Sequence, residues 1–120
     1  MAGAWAISGF YSTKTSIMIG FLKKLFGGTP VNYKELLSNG AIIVDVRSAG
    51  EYKSGHIPGS RNYPLDGIRG RIQDLKKTNK PVITVCRSGA RSSMAKNILK
   101  SAGIEVYNGG PWNSLLNKIA

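Results

Sequence analysis

The stretch Pro81–Gly103, PVITVCRSGARSSMAKNILKSAG, reads as a strand, a turn and a helix. Val82, Ile83, Thr84 and Val85 form a mostly apolar, β-branched run that ends at Cys86, the only cysteine. Turn-forming residues follow, and Met94, Ala95, Ile98, Leu99 and Ala102 then fall on one helical face up to Gly103. At such a junction the first helical turn presents free backbone N–H groups towards the strand end, and the helix macrodipole adds partial positive charge. Cys86 stands where those donors converge, with Arg87 and Arg91 close by. Its thiol is therefore expected to titrate below the ordinary cysteine value of about 8.5 and to serve as a nucleophile.

The segments on either side repeat the alternation of strand and helix. Asn32 with Glu35 resembles a capping box opening a helix through Leu36 and Leu37, which Gly40 stops. Ala41–Val46 is a nearly continuous apolar run, suited to a strand buried on both faces. Ser48 and Glu51 form a second capping box, and residues 55–64, GHIPGSRNYP, frame a short strand at Arg61–Tyr63 with glycine and proline turns. Asp66 is placed to cap a helix carrying Ile68, Ile72 and Leu75. Ile104–Tyr107 alternates as a further strand, Gly109 and Gly110 read as a turn, and Trp112, Leu115, Leu116 and Ile119 mark a last helix. This order predicts an α/β fold with a parallel sheet between helices, whose ligands bind beyond the carboxyl ends of the strands. Cys86 falls at such an end.

With 120 residues and 42% hydrophobic residues, the chain can bury one core. Its single cysteine excludes an intramolecular disulfide, and one cysteine with one histidine cannot furnish a structural zinc site; neither a metal nor a cofactor is expected. The net charge of +11 is spread along the chain without a basic run or interleaved aromatics, so a solvated basic surface is expected rather than nucleic-acid binding. Residues 1–28 lack periodicity and read as a leader or flexible arm ahead of a domain at 29–120, with Met18 opening a second start-like sequence. An export signal is not expected there. Ile17–Phe26 places Ile19, Leu22 and Phe26 opposite Lys23 and Lys24, but it is too short to span a bilayer, and a packed or frayed helix is favoured over membrane association.

Cys86 and Arg91 bracket four residues, Arg87, Ser88, Gly89 and Ala90, giving C-x4-R followed by Ser92 and Ser93. Such a loop can curl its N–H groups inwards as an anion nest, closed by the donor fork of an arginine. It is not a nucleotide-binding loop, since GxxxxGK[ST] is absent. The only imidazole, His56, lies in a glycine- and proline-framed turn, where holding the turn is its expected role. A thiolate without an imidazole partner suits attack on electrophilic sulfur or phosphorus rather than acyl transfer.

Three ordered motifs carry a resemblance. IIVDVRSAGEYKSGHIPGSRNYP (42–64), CRSGARS (86–92) and NGGPW (108–112) together resemble the rhodanese family. The resemblance implies a three-layer α/β/α fold with about five parallel strands, and a thiosulfate sulfurtransferase activity. In it Cys86 takes the outer sulfur of a donor such as thiosulfate, and the persulfide passes to cyanide or a thiol. It makes Cys86 the nucleophile and Arg87, Ser88, Gly89, Ala90, Arg91 and Ser92 the cradle, with the two arginines attracting the donor and stabilising the departing sulfite. Asp45, Arg47 and His56 are then scaffold, Asp45 pairing with a nearby arginine. Phosphatases of the same fold carry a longer C-x5-R loop, so the count favours sulfur. A non-catalytic regulatory or sulfur-carrier module is the other alternative. With no second cysteine to resolve the persulfide, the expected acceptor is external, such as glutathione or a thioredoxin-like protein, in a reducing cytoplasm. Oligomeric state is left open.

Overall fold

The structure, a computed structural model, describes residues 30–120. The arm expected at 1–28 and its amphipathic segment at 17–26 lie outside the described residues. Asn32–Ala120 forms a compact unit around a parallel sheet.

Every residue of β3 (Val82–Cys86) is buried, because it lies between two other strands and under helices on both faces. On one side it pairs with β1 (Ile42–Asp45) from Ile42↔Val82 to Asp45↔Val85; on the other it pairs with β4 (Val106–Pro111). β2 (Arg61–Asn62) joins the outer side of β1, completing the order β2-β1-β3-β4. The sheet thus has four strands among the described residues, where the family resemblance led to an expectation of about five. The four strand signals in the sequence account for all four.

Alternation along the strands divides the core. Val44, Val46, Val82 and Cys86 point to one face, packed with Leu75 of α3 (Ile72–Thr78) and Ala95 and Leu99 of α4 (Ala90–Ser101). Ile43, Ile83 and Val85 point to the other, against α1 (Tyr33–Ser38) and α5 (Trp112–Ile119), where Leu115 is fully buried. Between β1 and β2 lies the short α2 (Ala49–Lys53), whose Ser48 cap and Glu51 form the expected reciprocal box.

Several local expectations are corrected. Asn32 caps α1 by accepting the Glu35 N–H, but the reciprocal bond from Glu35 is not formed. Asp66 caps nothing: Leu65–Arg71 is a 3-10 helix without a side-chain cap, and α3 begins only at Ile72. The fourth strand starts at Val106 because the Ile104 N–H still bonds Leu99 O, closing the helix before it. Gly109 and Gly110 continue that strand rather than turning it. The register skips from Thr84↔Asn108 to Val85↔Gly110, so Gly109 is a bulge. A Cβ there would meet Ile83 Cγ2 at 2.9 Å and Val85 Cγ1 at 3.0 Å, which only glycine avoids. Met94, expected on the buried face of α4, is 56% exposed; Ser92 occupies a buried position on that helix instead, beside the cysteine.

Candidate active site

Cys86 is the last residue of β3 and has no exposed surface. The chain leaves it through Arg87 and Ser88, and Gly89, at φ 100°, turns it into α4 with no side-chain cap. The left-handed angle makes glycine the residue for that corner. In place of a capping oxygen the sulfur itself receives the helix donors: Gly89 N–H at 3.0 Å and Ser92 N–H, at the third helical position, at 3.4 Å. Burial on its own pushes the Cys86 thiol up, but hydrogen bonds from the Ser92 hydroxyl and from the backbone N–H groups of Ser92, Gly89 and Ser88 outweigh it. The net effect lowers the thiol below its ordinary range. A thiolate so held would have partners for its charge before any substrate arrives.

The six residues expected to line the loop separate into distinct roles. Ser88 and Gly89 turn backbone donors onto the sulfur. Ala90 opens α4, its small side chain leaving the first turn unobstructed. Ser92 is fully buried and supplies both an N–H and a hydroxyl beside Sγ, 3.3 Å from Oγ. Arg87 is exposed and lines a hollow of about 340 Å³ together with Arg47, Glu51, Ser54 and Trp112. Arg91 makes a two-point ion pair with Glu51, Nη1 to Oε1 at 2.7 Å and Nη2 to Oε2 at 2.9 Å. It also lines a cleft of about 530 Å³ with Val46, Pro64, Leu65 and Asp66. Glu51 lines one depression and Arg91 the other, so their pair stands between the two.

The pairing perturbs both partners. The Arg91 fork, followed by the Ser48 backbone, holds the Glu51 carboxyl at about 2. Arg91 is raised in turn, first by Glu51 and further by the nearby Cys86 and Asp45 charges. Sequence reading saw Glu51 only as half of a capping box; that it also reaches Arg91 depends on two segments 40 residues apart meeting across the sheet end.

Asp45 and Arg47 support the site from β1. Arg47 Nε and Nη2 bind Asp45 at 2.8–3.1 Å with both side chains buried, and Nη1 and Nη2 also donate to Glu51 O and Gly55 O. The guanidinium stacks 4.8 Å from the Trp112 ring centre. Arg47 therefore ties α2 and the following turn to the end of β1, and Asp45 has the arginine partner expected of it. His56 bonds Tyr52 O through Nδ1 at 2.8 Å and stacks on the Tyr52 ring, holding the turn.

One further residue was invisible as a site residue in the sequence. Asn108, on β4 beside the bulge, has Oδ1 2.6 Å from Ser92 Oγ and 2.9 Å from Gly110 N, and its Nδ2 donates to Gly89 O at 3.3 Å. It sits in NGGPW, which reads locally as a turn. Only the pairing of β4 with β3 brings it to the cysteine loop.

Comparison with known proteins gives the fold a lineage. Residues 29–111 match the Rhodanese-like domain family. The chain is 39% identical over 69 residues to the Bacillus subtilis protein YqhL, covering 57% of this chain and 54% of that one, so it spans about half the length of that relative. It is 35% identical over 81 residues to the thiosulfate sulfurtransferase GlpE of Ectopseudomonas mendocina, covering 67% of this chain and 73% of that protein. The solved structure described as rhodanese with anions from E. coli superposes with a TM-score of 0.57 at 32% identity, over 62% of this chain and 89% of that one.

Proposed function

The chain belongs to the rhodanese-like family, and from that we propose that it is a sulfurtransferase in which Cys86 carries sulfur as a persulfide between a small anionic donor such as thiosulfate and an external acceptor. The domain that does this is residues 29–120. The observation that carries the reading is the buried sulfur at the amino terminus of α4, receiving backbone N–H groups where a capping oxygen would otherwise sit.

In the first half-reaction the Cys86 thiolate attacks the outer sulfur of thiosulfate. The new Sγ–S bond forms as the S–S bond of the donor breaks, and sulfite departs with the bonding electron pair. The negative charge moves from Sγ to the outer persulfide sulfur, for which the backbone of the loop from Arg87 to Ser92 is the proposed cradle. Arg87 attracts the dianionic donor from the exposed side. Arg91 contributes through Nε–H and the outer N–H bonds of Nη1 and Nη2 that Glu51 does not take, and its charge favours sulfite departure. In the second half-reaction cyanide, or the thiolate of glutathione or of a thioredoxin-like protein, attacks the outer sulfur and returns Cys86 as a thiolate. No step needs a proton shuttle, in keeping with the engagement of His56 by Tyr52. A reducing compartment such as the cytoplasm keeps the thiol available.

Incubation with thiosulfate is expected to add one sulfur to the intact mass, cyanide to remove it, and Cys86→Ser to abolish it. A sulfur adduct on the serine variant, or none on the wild type, overturns the assignment; a wild type that takes no sulfur but hydrolyses an aryl phosphate points to the phosphatase alternative. Neither reaction would leave the binding-module reading.

A further inference from the structure

Ser92 has one hydroxyl proton and three acceptors within reach: Asn108 Oδ1 at 2.6 Å, Gly89 O at 3.1 Å and Cys86 Sγ at 3.3 Å. The orientation of Asn108 is fixed by its neighbours. Oδ1 receives the Gly110 N–H and Nδ2 donates to Gly89 O; the flipped amide would set donor against donor and acceptor against acceptor. Oδ1 is therefore an acceptor only, and at 2.6 Å the shared proton belongs to Ser92. The neutral thiol then completes a chain, Cys86 S–H to Ser92 Oγ–H to Asn108 Oδ1.

When Cys86 is a thiolate the chain must reverse at Ser92, because a charged sulfur can only accept. The hydroxyl turns from Asn108 to Sγ. When the negative charge moves to the outer persulfide sulfur, the inner sulfur no longer calls for that proton and the hydroxyl returns to Asn108. The geometry points to Asn108 as a positioning residue that competes with Cys86 for the Ser92 hydroxyl: it favours the thiol and persulfide states, and so sets how readily the thiolate forms. The role rests on the reading of Cys86 as the nucleophile. Asn108 passes no proton onward, since an amide oxygen is a resting place and not a base; the thiol proton leaves to solvent.

The surrounding charged and titratable groups are Arg87 and Arg91, Glu51 on Arg91, the Asp45–Arg47 pair at the end of β1, and Tyr33, whose hydroxyl donates to the backbone carbonyl of Asn108. Among the described residues none of these bonds the Ser92 hydroxyl, so they act on Cys86 alike whichever way it points.

Because Cys86 is the only cysteine, ultraviolet thiolate absorbance of the whole chain against pH, less that of Cys86→Ser to remove the five tyrosines, reads this one group. Asn108→Ala is expected to shift the Cys86 titration to lower pH, raising the thiolate fraction below the midpoint roughly three- to tenfold, the worth of one redirected hydrogen bond. Ser92→Ala is expected to shift it to higher pH, and Asn108→Ala made in that background to shift it no further. A loosened loop would instead give an upward shift, or one that persists without the hydroxyl, and either result overturns the role. Should Asn108→Ala fail to fold, Asn108→Asp keeps the shape. Its stronger acceptor is expected to shift the titration upwards by more when Ser92 is present than when it is absent, and equal shifts overturn the role. The persulfide mass measurement on the same samples tests the nucleophile reading separately.

Discussion

Arg91 and Glu51 meet through both nitrogens and both oxygens, at 2.7 and 2.9 Å, while Glu51 Oε1 also accepts the Ser48 N–H and so closes the first turn of α2. One carboxylate thus joins the helix after β1 to the helix after β3, and it does so with the arginine that ends the cysteine loop. Its negative charge competes with any anionic donor for the same fork.

Replacing Glu51 by glutamine keeps an oxygen for the Ser48 N–H and removes the charge. The expected outcome is a severalfold lower KM for thiosulfate with little change in kcat. Arg91→Ala is expected to raise KM, and by more in Glu51→Gln than in the wild type, because without the carboxylate the whole fork is free for the donor. Steady-state kinetics of the four proteins checks this; additive effects would mean that the pair does not bear on donor binding.

The same pair has an acid signature. Glu51 is lowered from 4.5 to about 2, so the folded state binds its proton less readily than the unfolded chain. The stabilisation is complete above the unfolded value and is lost as pH falls from 4.5 towards 2. Urea midpoints of wild type and Glu51→Gln across that interval are expected to converge with acid, the wild type losing its advantage.

Breaking the interior ion pair should cost far more. Asp45 is fully buried, and Arg47→Met would leave its carboxylate without a counter-charge and the Gly55 carbonyl without its donor. A loss of about 3–5 kcal/mol is expected, a large part of the roughly 5–15 kcal/mol that holds an ordinary domain. Denaturant unfolding of Arg47→Met, beside Asp45→Asn/Arg47→Met, checks it: the double variant should recover part of the loss, since no charge is then stranded.

Gly109→Ala drives a methyl group against Ile83, Val85 and Thr84 O, all within 3.1 Å, and is expected to destabilise by about 1–3 kcal/mol. Gly67→Ala meets nothing within 4 Å and is expected to be neutral or stabilising. Because the bulge also places Asn108 against Ser92, Gly109→Ala should disturb the Cys86 titration, and Gly67→Ala should leave it alone.

Strands, helices and the place of Cys86 between them were legible because they depend on local pattern. The run Val82–Val85 is apolar at every position but Thr84, and its neighbours could be recognised by the same rule. Less legible was whatever depends on strands meeting side by side. Gly109 and Gly110 look like a turn until β4 is laid against β3, where one becomes a bulge. Ser92 lies on the same helical face as Ala95 and Leu99, but its polarity conceals it there; it is buried because the sulfur and Asn108 satisfy its polar atoms. Glu51 has a complete local explanation as a cap, which conceals its second bond to Arg91. Met94 failed in the opposite sense: its hydrophobicity suggested the core, but the turn of α4 puts it in solvent.

The sulfur itself should leave a mark on stability as well as on reactivity. Burial of Cys86 opposes its ionisation, but the donors of Ser92, Gly89 and Ser88 prevail and the folded thiol lies below its unfolded counterpart. For an acid shifted in that direction the stabilisation is complete above the unfolded value, near pH 8.5, and disappears as pH falls through the folded value. Serine at this position stays neutral throughout. The stability of the reduced wild type relative to Cys86→Ser is therefore expected to grow as pH rises towards the unfolded value and to level off above it, measured by urea unfolding with a phosphine reductant present. A constant difference would mean that the fold does not prefer the thiolate, and the loop would then hold a persulfide without helping to form one.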